Sequence, residues 1–151
     1  MRTAQTLQRL DLRYVAGYMD GEGCIRAVLA KNGKNAAGLH VFITNTYLPI
    51  LQDFERQFGG KTSLRNISNK NHKSQYQWRI SNRKDIKSFL SKILPYLREK
   101  RAQAELALEY CDLPILKANS RSTNWPKTLE ARNKRIEIAT KLRELKKGRH
   151  P

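Results

Sequence analysis

Asp20 and Glu22 alternate with Gly21 and Gly23 at the end of the run Val15-Ala-Gly-Tyr-Met-Asp-Gly-Glu-Gly23, and they are the residues of this chain best placed to do chemistry. The run before them is small and apolar and reads as helix. The two glycines, poor helix formers and good left-handed caps, are expected to stop it there. The carbonyl end of a helix is partly negative, so two more negative charges are unfavourable at that spot unless a cation or a special contact offsets them. A divalent metal would do so. Magnesium takes carboxylate oxygens together with waters and substrate phosphates, so one carboxylate per site suffices once a phosphate joins the shell. Taken alone, two acids among glycines are more often a solvated loop, and the rest of the chain has to decide.

The composition points to a polyanionic partner. Thirty Lys and Arg against 13 Asp and Glu give a net charge of +17 over 151 residues. Nucleic acid is the first candidate, because each neutralised phosphate releases condensed counterions. A membrane surface comes second, and no apolar run approaches the roughly 20 residues of a span. The N-terminus Met-Arg-Thr-Ala-Gln-Thr leads into no secretory-type apolar segment, so the expected location is intracellular, in an organelle or a bacterial cytoplasm. Cys24 and Cys111 have no metal-ligand spacing and read as plain thiols. A hydrophobic fraction of 39% suits one domain over 1–151.

The elements that must hold the acids follow from periodicity. Leu7, Leu10, Leu12, Val15, Ala16 and Met19 recur at helical spacing and predict a first helix ending at the glycine-acid cluster. Strands are predicted over 24–31 and 39–45 around an Asn/Gly-rich turn, then an amphipathic helix over 47–58 stopped by Gly59-Gly60. A second hairpin joins 61–67 to 75–80, where Tyr76, Trp78 and Ile80 alternate with Gln75, Gln77 and Arg79. Asn82 caps a helix striped by Ile86, Phe89, Leu90, Ile93 and Leu94, and Pro95 starts another that runs to Cys111. A polar linker then leads to a last helix from Thr128 to about Lys146. The order predicts an α+β fold, a four-stranded antiparallel sheet with helices on one face and the other face open, with its core at about 7–112 and a helical extension at about 113–151.

On these residues the chain resembles the LAGLIDADG homing endonucleases, in the branch with one motif per subunit. Val15-Ala-Gly-Tyr-Met-Asp-Gly-Glu-Gly23 is similar to the signature nonapeptide, with Ala16, Gly17, Asp20 and Gly23 matching directly. The order of elements, the Phe58-Gly-Gly60 turn, the Tyr-x-Trp-Arg-Ile-Ser strand and the Leu94-Pro-Tyr-Leu97 junction extend the likeness over about 7–112. The resemblance implies a saddle-shaped sheet lying along the DNA major groove. It also implies motif helices from two subunits meeting at a twofold axis through Ala16, Gly17 and Asp20. A homodimer would then act on a long, pseudo-palindromic site. It implies Glu22, the eighth motif position, as catalytic carboxylate and magnesium ligand, with Asp20 more structural. Asn45, at the end of the second strand, would order the water network, and Lys100 would help to activate the nucleophile or offset phosphate charge. Read without the resemblance, Asn45 is more often a helix or turn cap, and Lys100 shares its helix start with Arg98 and Arg101 in a basic cluster of the kind that is usually a solvated face. A basic residue that some members carry in the second helix falls on Pro49 here.

For contacts to the double-stranded DNA, strand alternation directs Arg26, His40, Thr44, Gln75, Gln77 and Arg79 outward, Arg and Gln being suited to reading guanine and adenine. Lys61 and Arg65 follow if the third strand takes the register that buries Leu64. The basic segment 141–150 reads as a frayed solubilising tail before it reads as a second nucleic-acid site. The function implied is metal-dependent, site-specific double-strand cleavage that promotes intron mobility. The rivals are an RNA maturase that binds its intron RNA, a regulator of the same fold that binds DNA without cutting, and a basic ribosomal-type RNA-binding protein.

Overall fold

The computed structural model describes residues 9–29, 36–65, 74–113 and 125–147. The start of the expected first helix, most of both hairpin turns, most of the polar linker and the last four residues lie outside these. The elements are α1 (Leu12–Glu22), β1 (Gly23–Leu29), β2 (Ala36–Asn45), α2 (Leu48–Phe58), β3 (Lys61–Arg65), β4 (Gln75–Ile80), α3 (Arg83–Ile93), a 3-10 turn Leu94–Tyr96, α4 (Arg101–Asp112) and α5 (Trp125–Lys147). The four strands form one antiparallel sheet in the order β1-β2-β4-β3.

Alternation along the strands makes one side of this sheet apolar. Ile25, Ala27, Leu39, Val41, Ile43, Trp78 and Ile80 are all buried there, beneath Ile50, Leu51 and Phe54 of α2, Ile86, Phe89, Leu90 and Ile93 of α3, and Val15, Ala16 and Met19 of α1. Burying each large side chain contributes roughly 1.5–3 kcal/mol relative to leaving it in water. Trp78 anchors an aromatic cluster with Phe54 and Phe89 and donates its indole N–H to the Gly59 carbonyl at 2.8 Å. That contact explains the glycine pair after α2. Gly60 has φ +80°, and a Cβ on it would stand 2.5 Å from the Arg79 carbonyl oxygen.

Several expectations are corrected. The first helix starts later, at Leu12, with Asp11 as its N-cap accepting from the Arg13 N–H at 2.7 Å, and it continues through Gly21 and Glu22. Neither Gly21 nor Gly23 has positive φ. The helix ends because Gly23 turns to extended backbone and opens β1, and glycine is needed there for space, since a Cβ would fall 2.7 Å from the Met19 carbonyl oxygen. Pro95 opens only a 3-10 turn, and the following helix starts at Arg101 because the Arg98 and Lys100 N–H groups are held by Asp20. The register of β3 is the expected one, but the burial of Leu64 that suggested it does not occur. Leu64 is 57% exposed, while Thr62 is tied down instead, its N–H to Glu55 and its hydroxyl to the Leu51 carbonyl. The last helix begins at Trp125, and its described basic end is no frayed tail, because Ile138, Ala139 and Leu142 join the core.

Candidate active site and nucleic-acid interface

The end of α1 lies at one end of the sheet. Gly23 pairs with Ile43, so Glu22 stands beside the last residues of β2, where Asn45 ends the strand. The two motif acids have different surroundings. Asp20 Oδ2 accepts the backbone N–H of Arg98 at 2.9 Å and Oδ1 that of Lys100 at 3.0 Å. The Lys100 ammonium donates to the Asp20 carbonyl oxygen at 2.6 Å. Asp20 thereby fixes the segment leading into α4, and a buried cation caps the carbonyl end of α1. The offset for that acid comes from the chain itself. Glu22 is exposed and makes no hydrogen bond or ion pair among the described residues.

Lys100 is 2% exposed, whereas Arg98 and Arg101 beside it face solvent. The solvated-cluster reading therefore fails for Lys100, which the fold brings to the tip of the motif helix. Asn45 does act as a turn cap, its Oδ1 accepting the Tyr47 N–H at 3.0 Å, while its amide N–H donates to the Tyr18 hydroxyl. Sequence reasoning overlooked Tyr18. The available signal was its spacing, four residues before Glu22 and so on the same helical face. Burial raises the Tyr18 pKa, the hydrogen bond from Asn45 opposes this, and the charges of Glu22 and Tyr14 add to the rise.

Of the three residues assigned to a partner helix, Gly17 is exposed and Asp20 half-buried. Ala16 is fully buried within its own chain, and both carboxylate oxygens of Asp20 are engaged by the backbone before α4. A Cβ on Gly17 would meet nothing within 4 Å.

The open face of the sheet carries all eight strand residues assigned to DNA. Cross-strand pairing sets Arg26 beside His40, Thr44 beside Gln77, Lys61 beside Arg79 and Arg65 beside Gln75, each pair sharing a face. No Asp or Glu stands among the described strand residues of that face. A concavity of about 680 Å³ lies over it, lined by Arg26, Phe42, Lys61, Arg65, Gln77 and Arg79 among others. These side chains are pre-ordered. Gln77 donates to Thr44 Oγ1 at 3.3 Å and accepts from the Arg79 guanidinium at 3.0 Å, which lies 5.8 Å from the Phe42 ring centre. His40 Nδ1 is hydrogen-bonded to Ser81 Oγ at 2.9 Å, and its pKa is lowered by burial and by the charges of Arg79 and Arg26.

The donor set fits a hard divalent cation only in part. Among the described residues no three His, Cys, Asp or Glu side chains cluster, so one chain supplies a single free carboxylate at this helix tip, Glu22. That suits an ion completing its shell with phosphate oxygens, waters or a second subunit's carboxylate.

Comparison with known proteins agrees with this geometry. The DNA endonuclease I-CvuI of Chlorella vulgaris is 29% identical over 107 residues, which are 67% of this chain and 63% of that protein; the match thus spans less than two thirds of the relative's length. The crystal structure of I-CvuI in complex with the I-CreI target in the presence of magnesium superposes with a TM-score of 0.64 at 22% identity, covering 93% of this chain and 84% of that one. The archaeal intron-encoded homing endonuclease I-Vdi141I complexed with DNA gives a TM-score of 0.66 at 15% identity, covering 89% and 82%. At these identities the structural likeness establishes the fold. The LAGLIDADG-like domain profile matches residues 9–94, more than half of the chain, and the protein belongs to that family.

Proposed function

We propose that this protein is a homodimeric, site-specific DNA endonuclease that hydrolyses both strands of a long pseudo-palindromic target. The observation that carries the reading is Glu22: an exposed carboxylate without a partner among the described residues, at one end of a sheet face that bears Arg26, Lys61, Arg65 and Arg79 and, among its described strand residues, no acid. A lone carboxylate beside a basic groove repels phosphate unless it serves a cation, so its position has a use only in chemistry on the backbone. A divalent cation, magnesium in the finer reading, supplies Lewis-acid charge at the scissile phosphate when held by Glu22. Lys100 brings a buried positive charge to the same helix tip, where it offsets charge developing on phosphate. Asn45 orders the polar network around the attacking water. Gln75, Gln77 and Arg79 read base edges from the open face, with Arg26, His40, Thr44, Lys61 and Arg65 beside them. Gly17, bare and open, is where the partner's helix approaches.

The test is cleavage of a randomised library of palindromic duplexes by purified protein with magnesium, the cut ends being sequenced. The wild type is expected to enrich one site. Glu22→Gln is expected to bind that site within about threefold of wild-type affinity and to cut it at least about a thousandfold more slowly, since a lost cation ligand removes several kcal/mol of transition-state stabilisation. Tight binding to structured RNA, with no duplex cut, would assign the fold to a splicing factor instead.

A further inference from the structure

Tyr18 occupies the fourth position of the nonapeptide, where the signature spells leucine, a side chain with no hydrogen-bonding group. Its ring is wedged between Phe54 at 5.6 Å and Tyr14 at 6.0 Å between centroids, so its place is set by packing. The hydroxyl meets the Asn45 side chain, and the polarity of that contact is fixed from the far end. Asn45 Oδ1 is held by the Tyr47 N–H, so the amide nitrogen must face the phenol, donating to its oxygen. An amide nitrogen accepts nothing, so the phenol proton points away from Asn45. Four residues on, Glu22 stands on the same helical face, and its charge and the burial of the ring keep the phenol protonated and able to donate.

We propose that Tyr18 is a positioning residue of the cleavage centre, its hydroxyl oriented by Asn45 so that it donates to the water lying on the Glu22 carboxylate. Asn45 then acts through Tyr18, and the two form one unit with Glu22. The inference rests on the endonuclease reading and adds to it a residue that the signature does not supply.

Tyr18→Phe keeps the ring and removes only the link. The expected result is a single-turnover cleavage rate reduced roughly 10- to 100-fold, the usual cost of losing a group that orients a catalytic ligand, with affinity for the same duplex within about twofold. Asn45→Asp keeps the acceptor for Tyr47 but takes the phenol proton for itself, and it should slow cutting to a similar extent. Combining Tyr18→Phe with Asn45→Ala should cost little more than either alone, because both break one link. In the free protein, Tyr18→Phe should shift the Asn45 side-chain amide resonances, a readout independent of cleavage. Three results would overturn the proposal: Tyr18→Phe cutting at the wild-type rate, single losses that multiply in the double variant, or a loss in affinity with none in rate. Wild-type protein that cuts no duplex would defeat the endonuclease reading and this inference together, whereas wild-type cutting matched by Tyr18→Phe defeats this inference alone.

Discussion

Asp20 and Glu22 carry the same charge two positions apart, and the helix end neutralises only the first. Two backbone N–H groups and a buried lysine meet Asp20, and nothing among the described residues meets Glu22. His40 shows the same logic on the sheet face, where burial acts with Arg79 and Arg26 to hold its pKa below the ordinary 6.5. The unfolded chain therefore binds a proton more readily than the native one as pH falls through about 6.5, so His40 costs stability on the acid side of that value and nothing above it. Thermal melts between pH 7.5 and 5 should show wild type losing more stability than His40→Gln. Duplex phosphates reverse the repulsion from the arginines, so binding should take up a proton at His40. Wild-type affinity for DNA should then rise relative to His40→Gln as pH falls from about 7.5 to 5.5, measured by fluorescence anisotropy; equal pH profiles would place His40 outside the contact.

Among the elements, α1 presents two different sides, one packed in the core and one that the proposed dimer would use. Val15, Ala16 and Met19 bury it in its own core, while Gly17 and Gly21 lie exposed with open space around them. A side chain at 17 is therefore tolerated by the monomer and opposed by an approaching helix. Gly17→Leu should leave the monomer folded, with an undiminished helical circular-dichroism signal, since leucine favours helix over glycine by roughly 1 kcal/mol. It should also shift the sedimenting species from dimer to monomer and abolish cutting. A Gly17→Leu protein that remains dimeric and active would remove α1 from the subunit junction. The α3–α4 connection was the least legible element. Pro95 and the helix formers after it predicted continuous helix, but the acceptors on Asp20, about 80 residues earlier in the chain, draw the Arg98 and Lys100 N–H groups out of that ladder.

For the whole molecule, the net charge of +17 and a sheet face with no acid among its described strand residues would, in the proposed function, make phosphate contact the main source of binding free energy. The logarithm of the binding constant should fall linearly with the logarithm of salt concentration, with a slope steeper than about −5, since each neutralised phosphate contributes roughly −0.9. Gln77→Ala should leave that slope unchanged while relaxing base preference at one position of each half-site, and Lys61→Ala should flatten it by about one unit at unchanged preference. A shallow slope would indicate that the basic face is not what meets the duplex.

Local pattern in the sequence determined the sheet and its faces. Strand alternation decides which side chains share a side, so the six outward residues of β1, β2 and β4, the apolar stripes of α2 and α3, the Asn82 cap and the Gly59-Gly60 stop could all be read from neighbouring positions, whereas the register of β3 could not. The nonapeptide likewise marked Glu22. What tertiary structure alone decided depends on distant partners: which acid is already compensated, that Lys100 is buried, that Tyr18 and Asn45 touch, that Thr62 and not Leu64 is tied down, and that α5 belongs to the core. Hydrogen bonds spanning about 10 to 80 residues leave no periodic trace in the chain, because their cost and benefit are settled by burial and not by neighbours in sequence.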